Sequence, residues 1–449
     1  MRTLVRNGRV ASEGRVETTD LLLEDGRVSA VGRRGLGPAD RVVEAAGCWV
    51  LPGLVDFHVH VGDRIGRFEL ADDYESGTRA AVKNGVTTLC TFVTQGPGES
   101  LGAALRRTRA RAEGQCHADV AWHLTPTRFE SADWAEMEEL VGAGYRTFKL
   151  YTTYRGAGLF SDQARLEELF HRLGPLGVRF LLHCEDDALL ESVDASTLDL
   201  SKASAHARLR PEAAEVASVE ALLALAARCA VPLHVVHVST VAAAERIRDA
   251  RESQDVTSET CPQYLWLDEG WLDRPDGHRW LCSPPLRGGR ARFRELARGG
   301  AFDFFATDHC AFRKVDKDDW DGRDVRTAAN GLPGVGGLLH HAWRLWGDDP
   351  DRAAREVSLR LSKNPAARLG LDGRKGALRP GLDADVVVLD PNGPERPVRG
   401  TESDAYDAFP GFTSTLALRH VLVHGEPVVA DGALLDAERR RGQLHPISE

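Results

Sequence analysis

The sequence predicts an α/β fold: a (β/α)8 TIM-like barrel carrying a small β-sandwich domain built from both chain ends. Three observations predict it. Eight short apolar runs of β character alternate with helical stretches between residues 53 and 372. Hairpin texture fills residues 1–52 and returns in 373–449. Polar residues of metal-binding type stand where several of the apolar runs stop. A doubly wound open sheet has the same alternation and stays open as the alternative.

The N-terminal segment is read from its turns. Leu4-Val5-Arg6 runs into Asn7-Gly8, and Leu21–Leu23 runs into Asp25-Gly26. Both dipeptides between apolar runs signal hairpins. The barrel strands are expected at 54–60, 87–93, 120–125, 146–151, 179–184, 233–239, 255–260 and 302–308. Helical patterns lie between them at 80–83, 166–173 and 212–229. The last segment carries further short strands, at 386–389, 420–424 and 428–430, spaced like those at the N-terminus. These place both ends in one β unit.

Composition bounds the function. The 449 residues are 42% hydrophobic and 28% charged, which excludes a wholly disordered chain. A net charge of −10 argues against a nucleic-acid coat or a basic membrane-surface protein. There is no apolar core of signal-peptide length at the N-terminus and no apolar run of about 18 residues. The eight cysteines are scattered without a CxxC pair and read as reduced, cytoplasmic thiols. Only seven lysines occur among 57 basic residues, so a lysine inside an apolar run calls for a reason.

Asp56-Phe57-His58-Val59-His60 is the sharpest local signal. Residues two apart share one face of a strand, so both imidazoles can reach one metal ion; two core histidines bonded to carbonyls would read the same. Lys149 lies in Thr147-Phe148-Lys149-Leu150-Tyr151. An ammonium there would be costly to bury, and a neutral amine can take up carbon dioxide as a carbamate with two ligand oxygens. A snorkelling or paired lysine is the other reading. His183 and His237 close apolar runs, as does Asp308, which could be a ligand and proton carrier or a salt-bridge acid. Together, His58, His60, Lys149, His183, His237 and Asp308 converge on one barrel mouth. Their hard and borderline donors suit Zn²⁺.

With those residues in place, the chain resembles the amidohydrolase superfamily, and within it the dihydropyrimidinase and D-hydantoinase branch of cyclic amidohydrolases. The resemblance rests also on Leu51-Pro52-Gly53-Leu54-Val55-Asp56, Glu259-Thr260-Cys261-Pro262-Gln263-Tyr264, Ser283-Pro284-Pro285-Leu286-Arg287, Ala306-Thr307-Asp308-His309-Cys310 and the closing Arg379-Pro380-Gly381. It implies a hydrolase that opens the ring of a cyclic amide, such as a dihydropyrimidine or hydantoin, at the C–N bond. It implies two Zn²⁺ per chain, one on His58, His60 and Asp308 and one on His183 and His237, bridged by carboxylated Lys149 and a hydroxide. Asp308 would carry the proton, Tyr154 would polarise the scissile carbonyl, and the main chain at Ser283 and Asn330 would read the ring amide. It further implies a homo-oligomer, tetramer or dimer, acting on a small molecule in the cytoplasm, with no nucleic-acid or membrane partner.

The sequence also departs from neighbouring branches. Gly62 stands where dihydroorotases place an arginine, and Tyr154 where allantoinases generally lack a tyrosine. The loop from Val61 to Leu70 is more charged than in typical hydantoinases; Arg64 could meet an acidic substituent or simply be solvated. An allantoinase-like, dihydroorotase-like or lactam hydrolase is the near alternative. A non-catalytic scaffold of the dihydropyrimidinase-related kind is the alternative from another class, and it is disfavoured because every ligand is retained.

Overall fold

In the computed structural model, which describes residues 1–33, 36–403 and 405–446, eight parallel strands form one sheet. In order they are Leu54–Asp56, Val86–Thr94, Asp119–Thr125, Thr147–Tyr151, Arg179–His183, Leu233–Val235, Val256–Thr260 and Phe304–Phe305. Each pairs with its sequence neighbour, as a barrel requires and as a doubly wound sheet does not. Nearly every strand residue is buried, which explains why the strands read as continuous apolar runs and not as alternations. The helical patterns belong to Tyr74–Lys83, Gln163–Leu173 and Glu212–Cys229.

The first and last strands meet through side chains. Thr307 donates its backbone N–H to Asp56 Oδ1 at 3.0 Å and its hydroxyl to Asp56 Oδ2 at 2.6 Å. One layer higher, His309–Cys310 pairs in parallel with Val59–His60. A buried carboxylate thus takes the place of a ladder at the seam of the barrel. The expected strands at 233–239 and 302–308 stop early because His237 (φ 36°) and Asp308 (φ 49°) are left-handed, a conformation that cannot continue a strand.

The chain ends form one continuous nine-stranded sheet. Its path runs Ala433–Leu434, Glu426–Ala430, Ala417–Val423, Val386–Asp390, Trp49–Pro52, Arg2–Ser12, Arg15–Glu24 and Arg27–Gly32, with Arg41–Glu44 paired beside Arg2–Ser12. It wraps back on itself: Val28 donates its N–H to Leu382 O and Ala384 donates to Gly26 O. This encloses a core of its own that includes Val5, Leu21, Val50, Val386 and Leu422.

Asp25-Gly26 makes the hairpin turn read from the sequence, with both residues left-handed. Asn7-Gly8 does not. It is a bulge inside Arg2–Ser12, where the register shifts between Val5 and Gly8. Asn7 takes a positive φ there, and a Cβ on Gly8 would stand 2.4 Å from Val50 Cγ2. The turn itself comes later, at Glu13-Gly14.

The seam makes a testable demand. Thr307→Val keeps the shape but leaves Asp56 Oδ2 buried without its donor. It is expected to cost about 1–3 kcal/mol, read as a lower urea midpoint. An unchanged midpoint would show that the ladders alone hold the barrel shut.

Candidate metal centre at the barrel mouth

The early ends of the strands put six side chains at one rim. His58 follows the first strand and His60 ends the short pairing with His309–Cys310. His58 Nε2 stands 3.2 Å and His60 Nε2 3.4 Å from the same atom, Asp308 Oδ1. All three donor atoms lie within 4.8 Å of one another. His58 Nδ1 is 2.5 Å from Glu259 Oε1, a hydrogen bond that fixes the orientation of the ring. Burial, reinforced by nearby Lys149, drives the His58 pKa well below the usual histidine range. The ring is therefore neutral, and with Nδ1 held by Glu259 its Nε2 faces Asp308, placed to share a proton or a metal ion with it.

The second cluster repeats the arrangement. His183 Nε2 is 2.7 Å from Glu185 Oε2, which fixes the proton there and leaves Nδ1 as a lone pair. That Nδ1 faces His237 Nε2 at 3.0 Å. The two rings are both neutral, because burial lowers the pKa of each. Burial alone would raise Glu185, but Arg210 and His183 hold its carboxyl well below the ordinary range. Lys149, on the fourth strand, is 1% exposed. Its ammonium nitrogen sits 5.0 Å from the Tyr151 ring and 5.6 Å from the Phe92 ring. Burial brings its pKa down to about 8, against the pull of Asp308 and Glu259. About a tenth of the amine is then neutral at pH 7, far more than for an ordinary lysine.

Tyr154 is left-handed (φ 67°), and its ring centre lies 5.0 Å from that of His183. The Arg210 guanidinium covers the ring at 4.9 Å. Burial raises the phenol's pKa, so it remains a donor at neutral pH. Tyr154 and Asn330 line a cavity of about 390 Å³ together with His206 and Arg210. Ser283 and Asn330 are tied to each other: Asn330 Nδ2 donates to Ser283 Oγ at 2.7 Å. Asn330 Oδ1 is a buried acceptor with no partner among the described residues. Arg64 stands apart. It is exposed in a small hairpin, Arg64–Ile65 with Phe68–Glu69, and reaches only the Arg67 carbonyl, at 3.4 Å.

Three residues that no reading of the sequence assigned are central to this geometry. Glu259 orients His58, Glu185 orients His183, and Arg210 holds Glu185. Glu185 lies two residues from His183, a spacing visible in the sequence. Glu259 opens a run that carries the resemblance, but nothing local links it to His58, 201 residues away.

Comparison with known proteins gives the family and the fold. The model of the amidohydrolase family matches residues 66–429. A D-hydantoinase of Streptomyces coelicolor is 34% identical over 450 residues, covering 96% of this chain and 95% of the relative. A D-phenylhydantoinase of Escherichia coli is 34% identical over 444 residues, with the same coverage of each. The crystal structure of a dihydropyrimidinase from Brevibacillus agri superposes with a TM-score of 0.94 at 28% identity, covering 99% of this chain and 98% of that one.

The role of Glu259 can be measured. Glu259→Gln keeps the side chain's shape but weakens the acceptor at His58 Nδ1. Metal retention against a chelator is expected to fall about 10–100-fold. Full retention would assign Glu259 to packing alone.

Proposed function

The chain belongs to the amidohydrolase family and is a hydrolase of cyclic amides; we propose that it opens the ring of a dihydropyrimidine, hydantoin or related ureide at the C–N bond, using a two-zinc centre at the barrel mouth. The observation that carries this reading is the convergence of His58, His60 and Asp308 on one point beside the facing His183–His237 pair. In this reading His58, His60 and Asp308 hold one ion, and His183 and His237 the other. Lys149, carboxylated by addition of its neutral amine to carbon dioxide with loss of a proton, would supply two further ligand oxygens. Such ions acidify water and polarise a carbonyl when bound.

The chain's own groups do the rest. One Asp308 oxygen faces both histidines, and its other oxygen takes a proton and returns it to the leaving ring nitrogen. The Tyr154 hydroxyl, kept protonated by burial, donates to the scissile carbonyl oxygen as negative charge grows on it. The Asn330–Ser283 bond holds two segments in register, so that their main chains read the ring –NH–CO–. The buried lone pairs of Asn330 Oδ1 would meet a donor there. The same reading takes the protein to act in the cytoplasm as a homo-oligomer, a tetramer or dimer. The eight free cysteines, seven of them buried, fit a reducing compartment. No helix among the described residues is long and apolar enough to cross a membrane.

The direct test is ring opening followed by mass spectrometry, with zinc and bicarbonate supplied. The panel is dihydrouracil, hydantoin, a 5-substituted hydantoin, allantoin and dihydroorotate. Turnover is expected on the first three. Turnover confined to allantoin or dihydroorotate would replace the substrate assignment and leave the chemistry in place. Tyr154→Phe is expected to lower kcat about 10²–10³-fold with bound metal unchanged. Loss of metal instead would make Tyr154 structural. Lys149→Ala is expected to lose both metal and activity, with recovery on adding zinc and a short carboxylic acid. A Lys149→Ala protein that kept two metals and full activity would refute the carbamate.

A further inference from the structure

Among the described residues, two other groups of donor side chains lie outside the barrel mouth. Asp119, Asp383 and His424 come together beneath the barrel, but that group already holds a cation. Lys375 Nζ sits 2.7 Å from both Asp119 and Asp385, so its charge is met. The other group is Glu167, His171 and Cys229, where among the described residues the one ion pair is Arg228 with Glu167, at 3.9 Å.

We propose that Glu167, His171 and Cys229 form a third, peripheral divalent-metal site, selective for Zn²⁺ and softer ions. Glu167 and His171 are four residues apart on the helix Gln163–Leu173 and so share one face. Cys229 is the last residue of the helix Glu212–Cys229. One donor atom from each lies within 4.8 Å of the other two, and Cys229 Sγ stands 3.9 Å from His171 Nε2. Thiolate and imidazole on a tetrahedral Zn²⁺ stand about 3.5 Å apart, so small rotamer changes complete the contact. Thiolate, imidazole and carboxylate are a zinc donor set that excludes the hard alkaline-earth ions.

Two further features favour a cation there. His171 lies in the last turn of its helix and Cys229 ends the other. Both helices therefore turn their partially negative carbonyl ends towards the site. Cys229 is also the only one of the eight cysteines that is not buried, so its sulfur can be reached from water. The competing partner is weak. Arg228 reaches Glu167 at 3.9 Å with both side chains about half exposed. Binding releases the thiol proton of Cys229 to solvent. One thiolate and one carboxylate then neutralise the divalent ion, and water fills the fourth position. The site ties the two helices together on the outer face of the barrel.

Cobalt(II) reports such a site, because a thiolate ligand gives a near-ultraviolet charge-transfer band that imidazole and carboxylate ligands do not. The holoenzyme, passed over a weak chelating resin to clear loosely held ions, is titrated with Co²⁺. The band is expected in the wild-type protein and lost in both Cys229→Ser and His171→Ala. Ring-opening activity of both variants is expected to match the wild type, which also shows that they fold. Absence of the band at saturating Co²⁺ in the wild type, or its survival in either variant, would overturn the site. Because the readout is spectroscopic, it is independent of which substrate the barrel mouth opens.

Discussion

The barrel mouth is organised by carboxyl–histidine pairs. His58 Nε2 faces a carboxylate oxygen, and His183 Nδ1 faces His237 Nε2. In each case a carboxyl group on the far side of the ring, Glu259 or Glu185, holds the other ring nitrogen. Burial lowers the pKa of all three imidazoles and so keeps the rings neutral, the form in which a ring nitrogen can bind a cation. The pairs fix each ring before any ion arrives, which is the support that the proposed metal centre needs.

Holding these rings in place needs a rigid frame, and the seam of the barrel supplies part of it. Asp56 accepts two hydrogen bonds from Thr307, which fixes the main chain one residue before Asp308 and two residues before His58. The left-handed turns at His237 and Asp308 cost conformational energy for non-glycine residues. They are sustained because the flanking strands are locked, and they turn each side chain in from the strand direction towards the centre. Tyr154, also left-handed, is aimed by the same device and braced by Arg210.

Much of this was legible in the sequence, for a physical reason. A parallel strand buried on both faces must be apolar throughout, so a lysine at 149 or a histidine at 183 breaks the pattern visibly. The alternation left barrel and doubly wound orders open, and only the pairing of each strand with its sequence neighbour decides between them. What could not be read was whatever depends on long-range partners. Glu259 and His58 are 201 residues apart, and Asp56 and Thr307 are 251 apart. Left-handed φ at His237 and Asp308 has no local signature, so strands six and eight looked longer than they are. Asn7-Gly8 misled in the opposite direction. The same backbone preference serves a turn or a bulge, and only packing against Val50 decides between them.

The hairpin that carries Arg64 is built differently from the centre. Phe68 and Leu70 pack on Cys310, Phe312 and Ala329, so the hairpin is anchored from behind. Its tip is exposed and makes no bond to any candidate ligand. Substitutions at Arg64 or Arg67 therefore reach solvent and whatever lies at the rim, without disturbing His58 or Asp308. The centre rests on buried side chains at strand ends, with His58 held by Glu259 from 201 residues away and His183 by Glu185 next to it in sequence. The rim rests on a short segment held by a few apolar contacts. A barrel divided in this way can keep one reaction while its choice of substituent changes.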